Sequence, residues 1–305
     1  MVRVPQARRM DVQGIHVPLI TPFGEDGRVD GAVLERLARG LLDDGVAGLV
    51  ALGTTAEAAA LDEGERAAVR EIVGRVCRER GAHFTVGAGS NDTRRTEAEV
   101  AGLEADAALV TVPYFTRPSE AGVVAHFERV AAASAAPLIV YNVPYRTGQT
   151  LSRATVRALA AIPGVIGFKH AVGGIDADTV ALVGEVPLYA GDDVFAPALF
   201  AMGAPGGILA SAHLGTGRWV ELFRAYEPGL GHELSAMAAT LFAEPNPTVI
   251  KAVLHAQGRI PTPAVRLPLL AAGGPARETA VRALAAAGDT RDRTYALIGE
   301  TGQTR

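Results

Sequence analysis

Short runs of apolar and β-branched residues recur along the first two-thirds of the chain, at 15–21, 48–52, 84–88, 108–112, 138–141, 165–169, 188–190 and 207–210. Several are near-continuous rather than alternating, the pattern of parallel strands buried on both faces. Helical patterns fall between them. Residues 31–43 place Val33, Leu34, Leu37, Leu41 and Leu42 on one face, and 62–78 do the same with Ala67, Val69, Ile72, Val73 and Val76. The stretches 119–134 and 152–161 open with Ser119 and Ser152, good N-caps, and Glu120 adds first-turn acidity. Eight strand signals with helical patterns falling between them predict an α/β chain folded as a (β/α)8 TIM barrel. An open doubly wound sheet is the alternative. No Gly-x-Gly-x-x-Gly follows the first run, and Gly87-Ala88-Gly89 is a fragment of that pattern. Beyond about Trp219 the strand signal stops and helical patterns follow at 220–226, 234–242, 247–257 and 277–287. The expected division is a barrel over 11–228 and a helical C-terminal extension over 229–305, with 301–305 frayed.

Composition narrows the function classes. With 49% hydrophobic and 20% charged residues the chain can fill a sizeable core. A net charge of -4 offers no basic field for nucleic acid. No apolar stretch of about 18 residues could span a membrane. The first ten residues carry three arginines with no apolar run after them, which does not fit a secretory signal, so the cytoplasm is the expected location. The single cysteine, Cys77, reads as a small apolar residue on a helix. The seven histidines are scattered, and no Cys/His cluster has zinc spacing, so no metal is expected. Of the 29 basic residues only Lys169 and Lys251 are lysines. Against that arginine bias, a lysine stands out where an amine must be able to lose its proton, which a guanidinium cannot do.

In a barrel the active site lies at the C-terminal ends of the strands. The second run ends in Gly53-Thr54-Thr55-Ala56-Glu57, whose backbone N–H groups and hydroxyls suit a carboxylate, or a plain Thr helix cap. The fourth ends in Pro113-Tyr114-Phe115-Thr116-Arg117-Pro118. The fifth ends in Tyr141-Asn142-Val143-Pro144-Tyr145-Arg146-Thr147-Gly148, a tyrosine able to relay protons and an arginine able to hold a carboxylate, or else a buried ring and a solvated cation. The sixth ends in Gly167-Phe168-Lys169-His170. A lysine closing an apolar run loses solvation, which frees its amine for attack on a carbonyl; the plainer reading is a snorkelling side chain. His170 should point to the opposite face and pack. Asp192 and Asp193, after the seventh run, read as caps of the next helix rather than Mg²⁺ ligands. Lys251 lies in the extension and reads as structural, paired with a carboxylate.

Taken in order, these motifs resemble the dihydrodipicolinate synthase / N-acetylneuraminate lyase family of pyruvate-dependent class I aldolases, over about residues 14–286. The stretches that carry the resemblance are Gly53-Thr54-Thr55-x-Glu57, Tyr141-Asn142-Val143-Pro144-x-Arg146-Thr147-Gly148, Gly167-x-Lys169, Gly191-Asp192-Asp193, Glu244-Pro245-Asn246-Pro247 and Arg266-Leu267-Pro268. The resemblance implies that Lys169 is the Schiff-base lysine and Tyr141 the proton shuttle. It implies that Thr54 and Thr55, after Gly53, hold the pyruvate carboxylate, with Thr54 joining the relay. Arg146 then holds the carboxylate of the second substrate, and the backbone carbonyl of Ile208 lies beside pyruvate. It implies no cofactor beyond the covalent Schiff base, two small-molecule substrates, pyruvate and an aldehyde, and a homotetramer.

The favoured reaction is condensation of pyruvate with L-aspartate-4-semialdehyde. The alternatives are another lyase or dehydratase acting on a sugar acid or 2-oxo acid, and a barrel that binds a 2-oxo acid without turnover. Four departures bear on that choice. Phe115 stands where the synthases carry a second tyrosine that reaches into a neighbouring subunit and completes its hydroxyl relay. His170 stands where an acidic residue is usual, and Ala56 replaces a glycine. At the positions implied for lysine feedback, Asn91 and Tyr114 match whereas Glu63, Arg66 and Arg95 do not.

Overall fold

The computed structural model describes residues 13–286, so the readings of 1–10 and 301–305 lie outside the described residues. Eight parallel strands close into a barrel in sequence order: β1 Gly14–Pro18, β2 Gly48–Ala51, β3 His83–Ala88, β4 Ala107–Thr111, β5 Leu138–Asn142, β6 Val165–His170, β7 Leu188–Ala190 and β8 Gly206–Ile208. β1 pairs with β8, which seals the sheet. The doubly wound alternative is therefore set aside. Strand alternation sorts the side chains into two cores. Val50, Leu109, Ile139, Tyr141, Tyr189 and Ile208 form a cluster inside the barrel. Ile15, Val17, Leu49, Val86, Val140 and Phe168 belong to the larger core between sheet and helices.

The helices around the sheet are α1 Gly31–Asp43, α2 Glu63–Arg80, α3 Thr93–Ala101, α4 Glu120–Ala133, α5 Pro144–Thr147, α6 Arg153–Ala160, α7 Ala177–Val183, α8 Ala196–Ala201 and α9 Thr216–Arg224. Ser119 and Ser152 cap α4 and α6, accepting from the N–H groups of Gly122 and Thr155. A capping box of Asp62 and Glu65 opens α2, and Cys77 is buried on that helix, its thiol pushed up to about 12 by burial. Helices α3, α7 and α8 left no clear pattern in the sequence. α3 buries only Thr96 and Val100, so its apolar stripe is faint.

Three further helices follow: α10 Pro228–Leu241, α11 Thr248–Ala256 and α12 Gly274–Ala286. α10 begins six residues before the expected 234, because Glu227 accepts from the N–H groups of Gly229 and Leu230 and Pro228 occupies the first turn. It packs on α8, α9 and α12. α11 is buried almost throughout, from Thr248 to Leu254. None of the described helices is long and apolar enough to cross a membrane.

Candidate active site

Strand register places one row of side chains across the C-terminal end of the barrel. Thr111 pairs with Tyr141, Tyr141 with Lys169, and Lys169 with Tyr189. Lys169 is 7% exposed and its Nζ lies 4.5 Å from the centroid of the Tyr141 ring. Among the described residues Nζ makes no hydrogen bond or ion pair, and neither does the Tyr141 hydroxyl. The side chain of Lys169 needs room that a glycine supplies: a Cβ at Gly191 would sit 2.9 Å from both the Lys169 Cγ and the His170 carbonyl oxygen. Sequence reasoning missed Tyr189. Its signal was an aromatic residue just before the Gly191-Asp192 strand end, in register with the lysine.

After β2 the chain makes a 3-10 turn over Thr54–Ala56, bracketed by Leu52 and Glu57, both at φ +55. The turn has no side-chain cap, so Thr54 and Thr55 are not used as helix caps. Thr54 is exposed at the barrel mouth. Thr55 is buried, and its Oγ1 accepts from Asn246 Nδ2 at 2.9 Å. Thr21 Oγ1 donates to the Ala56 carbonyl at 2.7 Å. The buried Glu57 carboxylate accepts from Lys251 Nζ at 2.8 Å on one oxygen and from the Arg266 N–H at 2.7 Å on the other. Lys251 also donates to the Thr21 carbonyl and lies over the Phe23 ring. Burial pulls its amine down to about 8, against the opposing pull of Glu57. Lys251 is thus bonded to a carboxylate, as its position suggested.

Arg146 sits on α5 at the exposed rim, with its guanidinium 5.9 Å from the Tyr145 ring and no carboxylate partner among the described residues. Tyr145 is 90% exposed. Ile208 is buried at the end of β8. Phe115 is 86% exposed and held at φ +70 by a tight turn in which Thr116 N–H donates to the Tyr114 carbonyl. His170 faces away from Lys169, toward Asn142 and Thr179, and burial lowers it to about 4.

The expectation that Asp192 and Asp193 cap the next helix is corrected. Neither caps the turn that follows. Asp192 accepts from Gly173 N–H at 2.5 Å and Asp193 from Ser211 N–H at 2.6 Å, tying the loops after β6, β7 and β8 together. The backbone donors beyond neighbouring strands compete better than the short turn next door. Burial raises Asp193 to about 6 and Asp192 also upward, with Lys169 pulling both the other way. Among the described residues no three His, Cys, Asp or Glu side chains group to hold a metal ion.

The barrel therefore gathers Gly53, Thr54, Thr55, Tyr141, Arg146, Lys169 and Ile208 at the C-terminal ends of β2, β5, β6 and β8. An unpaired amine over a tyrosine ring suits imine formation with a carbonyl, and the turn of Thr54–Ala56 suits a carboxylate.

Comparison with known proteins places the chain as a whole. The Dihydrodipicolinate synthetase family profile matches residues 11–287. A 4-hydroxy-tetrahydrodipicolinate synthase 2 of Clostridium acetobutylicum is 35% identical over 274 residues, covering 86% of this chain and 95% of the relative. A 4-hydroxy-tetrahydrodipicolinate synthase of Synechococcus sp. strain CC9311 is 39% identical, covering 83% and 87%. The crystal structure of chloride-inhibited dihydrodipicolinate synthase from Acinetobacter baumannii, complexed with pyruvate, superposes with a TM-score of 0.84 at 36% identity, covering 91% of this chain and 99% of that one.

Proposed function

This chain belongs to the dihydrodipicolinate synthetase family, and on that premise we propose that it condenses pyruvate with L-aspartate-4-semialdehyde, the reaction of a 4-hydroxy-tetrahydrodipicolinate synthase. The observation that carries the proposal is Lys169, buried, 4.5 Å from the Tyr141 ring and unpaired among the described residues. Lys169 Nζ attacks C2 of pyruvate, and loss of water leaves an imine. The imine nitrogen is an electron sink, so a C3 proton leaves and an enamine forms, with Tyr141 moving the protons. The enamine carbon bonds to the aldehyde carbon of the second substrate, whose oxygen takes a proton. The amino group of that substrate then displaces Lys169 from C2, closing the ring and returning the free lysine. Thr54 and Thr55, after Gly53, hold the pyruvate carboxylate, with Thr54 in the proton relay. Arg146 holds the second carboxylate, having no carboxylate partner among the described residues. The Ile208 carbonyl lies beside pyruvate. No cofactor or metal enters this scheme.

The working unit of this reading is a cytoplasmic homotetramer, with a barrel over 11–228 and a helical extension over 229–305. Phe115, on the loop after β4, and Tyr145, on α5, are both exposed at the rim and are the kind of surface a second copy covers. Phe115 also favours a second reading, in which the same imine serves another aldehyde or a sugar acid, because a phenyl ring passes no proton.

Borohydride reduction in the presence of pyruvate, followed by peptide mass mapping, tests the chemistry. A pyruvate adduct on Lys169 is expected. An unmodified Lys169, in conditions that trap a control aldolase, refutes the proposal and favours a binding barrel. A substrate panel then separates the two acceptors: fast cleavage of a sugar acid with no condensation of aspartate semialdehyde selects the second reading.

A further inference from the structure

We infer that Asn246, just ahead of α11, is a positioning residue for the pyruvate carboxylate, because it fixes the Thr55 hydroxyl as a donor. This rests on the reading of Thr55 as part of the carboxylate cradle. A threonine hydroxyl has one proton to donate and two acceptor positions. Asn246 Nδ2 can only donate, so in the 2.9 Å contact Thr55 Oγ1 is the acceptor. That leaves the hydroxyl proton for another acceptor, and among the described residues none takes it. With one acceptor position filled by Asn246 and its own proton without a partner among the described residues, the buried hydroxyl presents a donor. Left to itself the hydroxyl could turn and accept from a neutral amide or alcohol equally well. A hydroxyl held as a donor bonds a carboxylate more strongly than an amide oxygen, because the bond to the anion is charge-assisted.

The backbone around Asn246 is itself held. Thr248 ties back to the Pro245 carbonyl through both its N–H and its Oγ1, at 3.0 and 2.8 Å. The Lys251 N–H donates to the Pro247 carbonyl at 2.9 Å. One turn into α11, Lys251 Nζ bonds Glu57, two residues beyond Thr55. The loop that carries Thr55 and the segment that carries Asn246 are therefore joined at two points, Thr55 to Asn246 and Glu57 to Lys251. A buried ion pair thus joins the two segments alongside the amide–hydroxyl contact.

The test uses the full chain and reads the Lys169 adduct trapped by borohydride as a function of carbonyl concentration. The probes are pyruvate, pyruvamide and propanal, the last having no carboxyl or amide group for the cradle. For Asn246→Ala, half-saturation by pyruvate should rise ~10-fold, the size of one hydrogen bond, with propanal trapping unchanged. Asn246→Asp should lose more, ~10²-fold, since a carboxylate cannot donate to Thr55 and repels the anion. Wild type should prefer pyruvate over pyruvamide, and Asn246→Ala should narrow that preference. Equal losses for pyruvate and propanal would assign Asn246 a merely structural role and overturn the inference, as would an unchanged pyruvate response in Asn246→Ala. If that variant does not fold, the wild-type preference decides: equal half-saturation by pyruvate and pyruvamide overturns it. A wild type that traps propanal on Lys169 but never pyruvate overturns the functional reading and this inference together, whereas failure confined to the variants removes only the inference.

Discussion

Lys169 and Lys251 are both buried and both lie over an aromatic ring, yet one amine is bonded and the other is not. Lys251 is 0% exposed, 4.1 Å from the Phe23 ring centroid, and donates to Glu57 and to the Thr21 carbonyl. Lys169, 4.5 Å from the Tyr141 ring, has no such partner among the described residues and opens toward the barrel mouth. Burial alone does not make a lysine reactive. What distinguishes the two is whether a carboxylate stands within hydrogen-bonding reach of the amine. Asp192 and Asp193 are close enough to feel the charge of Lys169, but their oxygens accept backbone N–H groups instead. Around Lys251 the carboxylate is committed to the lysine; around Lys169 the carboxylates are committed to the loops.

The sharpest break of this comparison is Lys169→Ala. It should lower kcat by on the order of 10⁴-fold or more while leaving the circular dichroism spectrum intact, as expected for removal of a nucleophile. Retained activity would move the chemistry elsewhere. Lys251→Met should act on stability instead, because it strands the buried Glu57 carboxylate. Urea titration should show a loss of about 3–5 kcal/mol, and adding Glu57→Gln should recover part of it. A Lys251→Met protein of wild-type stability would show that the pair is not the anchor described.

A third, smaller effect is acid sensitivity. Burial holds His213 down at about 4; its Nε2 accepts from the Ile20 N–H, and its Nδ1 faces the Ala210 carbonyl as donor. His170 is likewise held at about 4 by burial. Each folded value lies below the unfolded one, so the unfolded chain takes up protons first. Stability is fully present above about pH 6.5 and is lost as pH falls toward 4, by about 3 kcal/mol per histidine. Asp193, raised to about 6 by burial, works the other way: its burial costs stability as pH rises from about 3.8 to 6. It offsets roughly one of the two histidines. Urea unfolding at pH 7 and pH 4.5 should show the net loss, and Asp193→Asn should deepen it; a flat profile would contradict these assignments. The smallest effect is expected at the rim. Arg146→Ala should raise KM for the aldehyde substrate by ~10- to 100-fold with little change for pyruvate, since a charge-assisted contact to the second carboxylate is lost. An equal rise for both substrates would remove that role from Arg146.

The amino-acid sequence by itself determined the alternation of buried strands and one-sided helices, because that pattern depends only on where apolar residues fall. It also made Lys169, Tyr141 and the Thr54-Thr55 pair visible, since each closes an apolar run and strand ends face the barrel mouth. It put Lys251 beyond the eighth strand, suggesting a partnered cation. It did not show the short, polar α3, which buries just Thr96 and Val100. Nor did it show the destination of Asp192 and Asp193, which looked like caps for the adjacent helix and instead accept from Gly173 and Ser211 across neighbouring loops. Only the tertiary structure decided which charges are paired. Glu57 and Lys251 are 194 residues apart, as distant in sequence as Thr55 and Asn246 at 191, and local pattern carries no information about such pairs. Closing the barrel and folding α11 back on it brings them within hydrogen-bonding distance, and the same closure leaves Lys169 with no such partner among the described residues.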